Sequence, residues 1–251
     1  MAGYPGGTGG AAAATVEVPG LDDLSYTALT YDDDFSIATI DAQWTLVGYA
    51  EGAIDSTARP SPSGLASTAT EPGALLLQPR ESTVAGLRLD ALPADGEAFL
   101  MSVWCSQPAR SDASNNSIWI GLAWGDSTTD PAALPNHRLC WDGGDQPRVW
   151  LLESTTTAVV TIDNATTVPG SLNQFLCSRH SDVLRCWWRS DPLGAWVPMG
   201  FIDLAIETTY DRTWILITSP AAFGGGQELE AVHRVHSFKH LANASVPGLY
   251  L

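Results

Sequence analysis

Positive charge is scarce in this chain of 251 residues: 12 Lys and Arg stand against 28 Asp and Glu, giving a formal net charge of -16. Nucleic acid and anionic membrane both demand clustered cations, so neither is an expected partner. No apolar run reaches the length of about 18 residues that a spanning helix needs, which excludes membrane insertion of that kind. The opening MAGYPGGTGGAAAATVEVPG has neither a basic n-region nor a continuous apolar h-region, so no secretory signal peptide is read there. Cysteine is sparse as well. Cys105, Cys140, Cys177 and Cys186 are too few for a disulfide scaffold and lack metal-ligand spacing. Convincing amphipathic helices and internal repeats are also missing, which argues against helical bundles, solenoids and propellers.

What remains is ample for a core, with 45% hydrophobic and 9% aromatic residues. Short runs of period two, such as AFLMSVWCS, SIWIGLAWG, RVWLLES, VLRCWWRS and RTWILITS, follow one another between clusters of Gly, Pro, Asn, Asp and Ser. Ten or more such runs without a composition break predict an all-β antiparallel sandwich over residues 31–241. Residues 1–30 are rich in Gly and Ala without a period and are expected to be an arm for attachment or oligomerisation. Residues 242–251 form a short tail.

The stretch RCWWRSDPLGAWVPMG, residues 185–200, poses a problem of direction. Neighbours in a strand point to opposite faces, so Trp187 and Trp188 cannot both belong to one core. Parity assigns Phe99, Met101, Val103 and Cys105 to a core face, together with Ile118, Ile120, Leu122 and Trp124, and Phe175, Cys177, Leu184, Cys186 and Trp188. It leaves Trp104, Trp119, Trp150 and Trp187 on a second face among small, polar or charged residues, with Arg185 and His180 beside Trp187. Aromatic rings in such company form a platform on which a sugar ring stacks while polar neighbours hold its hydroxyls. The alternative is that a loop, the arm or a neighbouring subunit covers this face. A turn at Ser181-Asp182 would set Cys177 across from Cys186, where either a bridge or shared burial explains the pairing.

Residues 173–200, NQFLCSRHSDVLRCWWRSDPLGAWVPMG, resemble the hairpin and turn of concanavalin A-like lectin/glucanase domains of the laminin G-like type. YDDDFSIATIDAQWTL (31–46) is similar to their opening segment, and VHRVHSFKHL (232–241) to the closing strand that pairs beside the first. The resemblance implies a jelly roll with carbohydrate binding in many relatives. Its glucanase branch carries Glu-x-Asp-x-Glu on one strand, so that alternate carboxylates share a face. No such run stands here, the nearest being Glu228-Leu-Glu230, and no enzyme activity is expected. The resemblance also implies calcium, for which Asp126 and Asp130, and Asp142 and Asp145, supply loop carboxylates. His137, His180, His233, His236 and His240 have no partners at transition-metal spacing. A jelly roll without a secretion signal fits a phage virion surface protein: a decoration protein, head fibre or tail fibre. Its expected partners are other virion proteins through the arm, further copies of itself, and host surface glycan. Purely structural decoration and glycan hydrolysis or lysis are the rival readings.

Overall fold

The computed structural model of the chain describes residues 24, 26–35, 41–47, 50–51, 64–67, 75–77, 84–104, 119–126, 137–142, 148–153, 158–163, 172–218 and 233–244. Among them the backbone forms strands and no helix. The first eight strands are β1 (Ala28–Asp33), β2 (Trp44–Val47), β3 (Ala50–Glu51), β4 (Gly64–Ser67), β5 (Leu75–Leu77), β6 (Val84–Leu89), β7 (Ala98–Trp104) and β8 (Trp119–Asp126). The rest are β9 (His137–Asp142), β10 (Arg148–Leu152), β11 (Ala158–Asp163), β12 (Leu172–His180), β13 (Val183–Arg189), β14 (Val197–Asp203), β15 (Tyr210–Thr218) and β16 (His233–Ala242).

Two sheets pack as a sandwich. The first runs β14-β13-β12-β7-β16-β5-β4-β3, with β1 also paired to β16; the second runs β11-β10-β9-β8-β15-β6-β2. The described pairings are antiparallel except for the short parallel contact of β3 with β4. The closing strand β16 does lie beside β1, with Asp32 opposite Lys239 and Asp33 opposite Phe238.

The alternation in the sequence produces the core directly. Phe99, Met101 and Val103 of β7 meet Ile120, Leu122 and Trp124 of β8 and Phe175, Leu184 and Trp188 of the β12–β13 hairpin in one buried cluster. Each large apolar side chain taken from water there contributes about 1.5–3 kcal/mol. At the edge of this core Asp33 ties the opening segment together. Its carboxylate accepts hydrogen bonds from the Phe35 amide (2.9 Å), the Trp44 indole (2.8 Å) and the Tyr31 hydroxyl (3.0 Å). Tyr31 is pushed well above the usual phenol range, first by burial and then by the Asp33 charge.

The β12–β13 turn falls at Ser181-Asp182, as the sequence predicts. Ser181 takes a φ of 55°, unusual without a glycine. Two bonds hold it there: its amide donates to Asp95 Oδ1 (2.7 Å), and Arg179 Nε donates to its carbonyl (2.9 Å). Cys177 lies directly opposite Cys186, and both are free thiols buried in the core. Burial pushes Cys177 up to about 12 and Cys186 well above its ordinary value, so both stay protonated and unreactive. Of the two explanations for the pair, shared burial is the one realised.

Candidate functional site

The parity argument places the four tryptophans outside the core, but the structure divides their strands between the two sheets. Trp104 and Trp187 belong to β7 and β13 of the first sheet; Trp119 and Trp150 belong to β8 and β10 of the second. Packed sheets stand about 10 Å apart with the core between them, so the four cannot form one platform. Trp150 is half-buried against Cys140 and Leu152.

The first sheet answers the question of direction set by residues 185–200. Trp188 points into the sandwich, where its indole donates to Asn173 Oδ1 (3.1 Å). Trp187 points away from it and is nevertheless only 3% exposed. It packs with Leu100, Leu176, Leu241, Leu24 and Trp196, with Tyr26 and Leu29 beside them. Residues of the same chain therefore cover Trp187, and it offers no stacking surface in this arrangement. Arg189 anchors the cover. Its guanidinium stacks over Trp196 at 4.1 Å, Nε donates to Gln174 Oε1 (2.7 Å) and an Nη to the Gly194 carbonyl (3.2 Å). Gln174 in turn donates to Ser102 Oγ (3.0 Å), giving a buried polar chain across three strands.

Two aromatics among the described residues of this outer face remain open. Trp104, at the end of β7, is 40% exposed, and Phe201, on the edge strand β14, is 59% exposed. Phe201 lies directly opposite the half-buried Arg185, which is itself opposite Ser178. His180 is exposed at the end of the hairpin, in the row of Val183 and Asp203. The structure thus brings Arg185 and His180 to one end of the face with Phe201, while Trp104 stands at the other end opposite Arg234. The buried Ser178 Oγ and the indole N–H groups of Trp187 and Trp196 find no hydrogen-bond partner among the described residues.

Phe201 escapes sequence reasoning because of a bulge. Simple alternation through Val197–Asp203 would put Phe201 on the same side as Met199. The register instead shifts between Cys186 and Trp187, with Gly200 at a φ of 114°, and Met199 and Ile202 both enter the core. One extra residue on β14 turns Phe201 outward. The glycine signal was present in the sequence, although its offset from the bulge is not fixed by composition alone.

Two of the four calcium candidates, Asp126 and Asp142, lie among the described residues. Asp126 ends β8, whereas Asp142 is paired with Trp119 at its beginning, so the two stand at opposite ends of one strand. Asp126 accepts a hydrogen bond from Thr209 Oγ1 (3.3 Å). Asp130, Asp145, Glu228 and Glu230 lie outside the described residues. Among the described residues no three His, Cys, Asp or Glu side chains gather at metal-binding distance.

No protein-family model matches the chain. No curated protein matches it either. Solved structures do. Winged bean acidic lectin, complexed with methyl-alpha-D-galactose, superposes with a TM-score of 0.54 at 10% identity, covering 86% of this chain and 98% of the lectin. A beta-1,3-glucanase from Mycobacterium marinum gives a TM-score of 0.51 at 11% identity over 85% of this chain and 99% of that one. The GH43 BlXynB protein from Bacillus licheniformis gives 0.53 at 14% identity over 84% of this chain, which spans 39% of that longer chain. At such identities the likeness shows the fold alone: an all-β sandwich of two antiparallel sheets, shared by lectins and by enzymes.

Proposed function

We propose that this chain is a non-enzymatic carbohydrate-binding protein of a phage particle surface, binding glycan on the outer face of its first sheet. The observation that carries the reading is the open Phe201 ring with Arg185 and His180 on adjoining strands. A sugar ring meets such an aromatic through its C–H groups while the neighbouring polar groups hold hydroxyls. The lectins among the structural neighbours support a binding role for this fold. The sequence holds no Glu-x-Asp-x-Glu run, and the reading assigns no catalytic residue. The particle setting rests on the Gly- and Ala-rich first thirty residues in front of a jelly roll.

A glycan-array assay on the full chain, with and without calcium, tests the binding role. Specific binding that Phe201→Ala loses is the expected result, and silence across the array would overturn it. A reducing-sugar assay on the bound glycans is expected to show no cleavage, and immunogold labelling of intact particles checks the setting. A second reading, an assembly surface without glycan binding, is favoured by the covered Trp187. It predicts that Phe201→Ala and Trp104→Ala impair assembly instead.

A further inference from the structure

The cover over the centre of the first sheet's outer face comes from two parts of the chain that are held differently. The turn between β13 and β14 supplies Trp196, which the Arg189 guanidinium overlies at 4.1 Å while Arg189 is itself fixed by Gln174 and the Gly194 carbonyl. The segment leading into β1 supplies Leu24 and Tyr26, with Leu29 of β1 beside them. Leu24 joins the cluster through apolar contact, which is non-directional. Further on, the Thr27 amide donates to the Ala242 carbonyl (3.0 Å) and Thr27 Oγ1 accepts from Asn243 Nδ2 (2.7 Å). These ties fasten Thr27 to the end of β16, away from Trp187 on β13.

Under this cover the indole N–H groups of Trp187 and Trp196 are buried, and neither finds an acceptor among the described residues. A leucine side chain cannot supply one. A buried donor without a partner keeps its desolvation cost, so an occupant with oxygen acceptors would hold these indoles better than an apolar segment does. A sugar ring offers both halves of that contact, C–H groups for the indole face and hydroxyl oxygens for the N–H. The indoles are neutral donors and the chain carries a net charge of -16, which together favour an uncharged glycan. The open Phe201 ring stands beside the covered bed: it is opposite Arg185, and Trp187 is the next outer-face residue of β13, a diagonal spacing of roughly 7–8 Å. We infer that Leu24 and Tyr26 form a strap over a second carbohydrate subsite, built on Trp187 and Trp196, into which a neutral glycan extends from Phe201 by displacing the strap. The inference rests on the carbohydrate-binding reading above and adds to it a subsite and its closure. Because the strap must lift, the measured affinity is scaled down by the fraction of chains in which it is open, and a looser strap raises it.

The test titrates the full chain and its Leu24→Ser and Tyr26→Ser variants with laminarin, followed by the indole N–H signals in proton–nitrogen correlation spectra. Trp187→Phe and Trp196→Phe assign the two signals of interest. The expected result is that laminarin moves those two signals and leaves those of the core residues Trp124 and Trp141 in place. Leu24→Ser is expected to bind about tenfold tighter than the parent, and Tyr26→Ser to change in the same direction. The core signals serve as the folding check, and Tyr26→Ser decides if Leu24→Ser loses them. Unchanged or weaker affinity in the strap variants, with the core signals in place, would overturn the strap, while loss of binding in Phe201→Ala would leave the carbohydrate reading intact. Binding that leaves the Trp187 and Trp196 signals unmoved would overturn the subsite in the same way. Laminarin silent towards the parent and both strap variants would also overturn it, and a silent array besides would remove the carbohydrate reading as well.

Discussion

The centre and the two ends of the first sheet's outer face share strands, solvent side and aromatic content, yet they have opposite fates. Trp187 at the centre has Leu176 and Pro198 as cross-strand neighbours and is covered by Leu24 and Trp196. Trp104 and Phe201 at the ends have arginines across from them and stay open. An apolar neighbour lets a covering segment dock without stranding a charge, whereas an arginine beneath the same cover is desolvated and needs partners built for it, as Arg189 has in Gln174, the Gly194 carbonyl and the Trp196 ring. The identity of the cross-strand partner therefore separates a buried tryptophan from an available one.

Mutations can break that contrast. Trp187→Ala is expected to cost about 3–5 kcal/mol in urea unfolding, because the cavity lies under a packed cover. Trp104→Ala is expected to stay within about 1 kcal/mol of the parent, and equal costs for the two would end the distinction. Arg189→Met comes next, at about 2–3 kcal/mol, since it strands the buried Gln174 side chain and releases the turn that carries Trp196.

A smaller effect lies at the rim of the centre, where Glu97 accepts the Ala94 amide (2.9 Å) and meets His240 Nε2 at 2.6 Å. Partial burial pushes this carboxyl upward, but the Ala94 and His240 contacts prevail and hold it below its ordinary 4.5. Its contribution is present above pH 4.5 and is lost as pH falls through the lower folded value. Urea midpoints at pH 5.5 and 3.5 are expected to differ less in Glu97→Gln than in the parent. The smallest expected effect is that of Leu193→Ser at the 86% exposed tip of the β13–β14 turn, within about 0.5 kcal/mol by thermal melt.

Alternation alone made the core legible. Once Phe99, Met101 and Val103 are set on one side of a strand, the opposite side follows, and period-two patterning fixed the faces of β7, β8, β12 and β13. The order in which strands pair is not written in that pattern, and so four outward tryptophans read as one platform when they belong to two sheets. Coverage is not legible locally either. Leu24 and Trp196 reach Trp187 from far along the chain or across a turn, and nothing in residues 185–189 specifies them. In the sequence Arg185 and His180 stand out by their company with Trp187; the structure keeps them at the outer face but gives them Phe201 as the open ring.

Strand β16 pairs with β7, β5 and β1 and so holds the first sheet together. The second sheet is complete once β15 has been made, at residue 218. The first cannot close until residue 242 has left the ribosome. During synthesis β7, β12, β13 and β14 can form a ribbon whose exposed edge awaits its last strand, and β1 must wait even longer in sequence terms for its partner. Such long-range pairing slows folding and leaves an unpaired strand edge open to self-association. The first sheet is therefore completed last, and the edge of β7 stands open until β16 arrives.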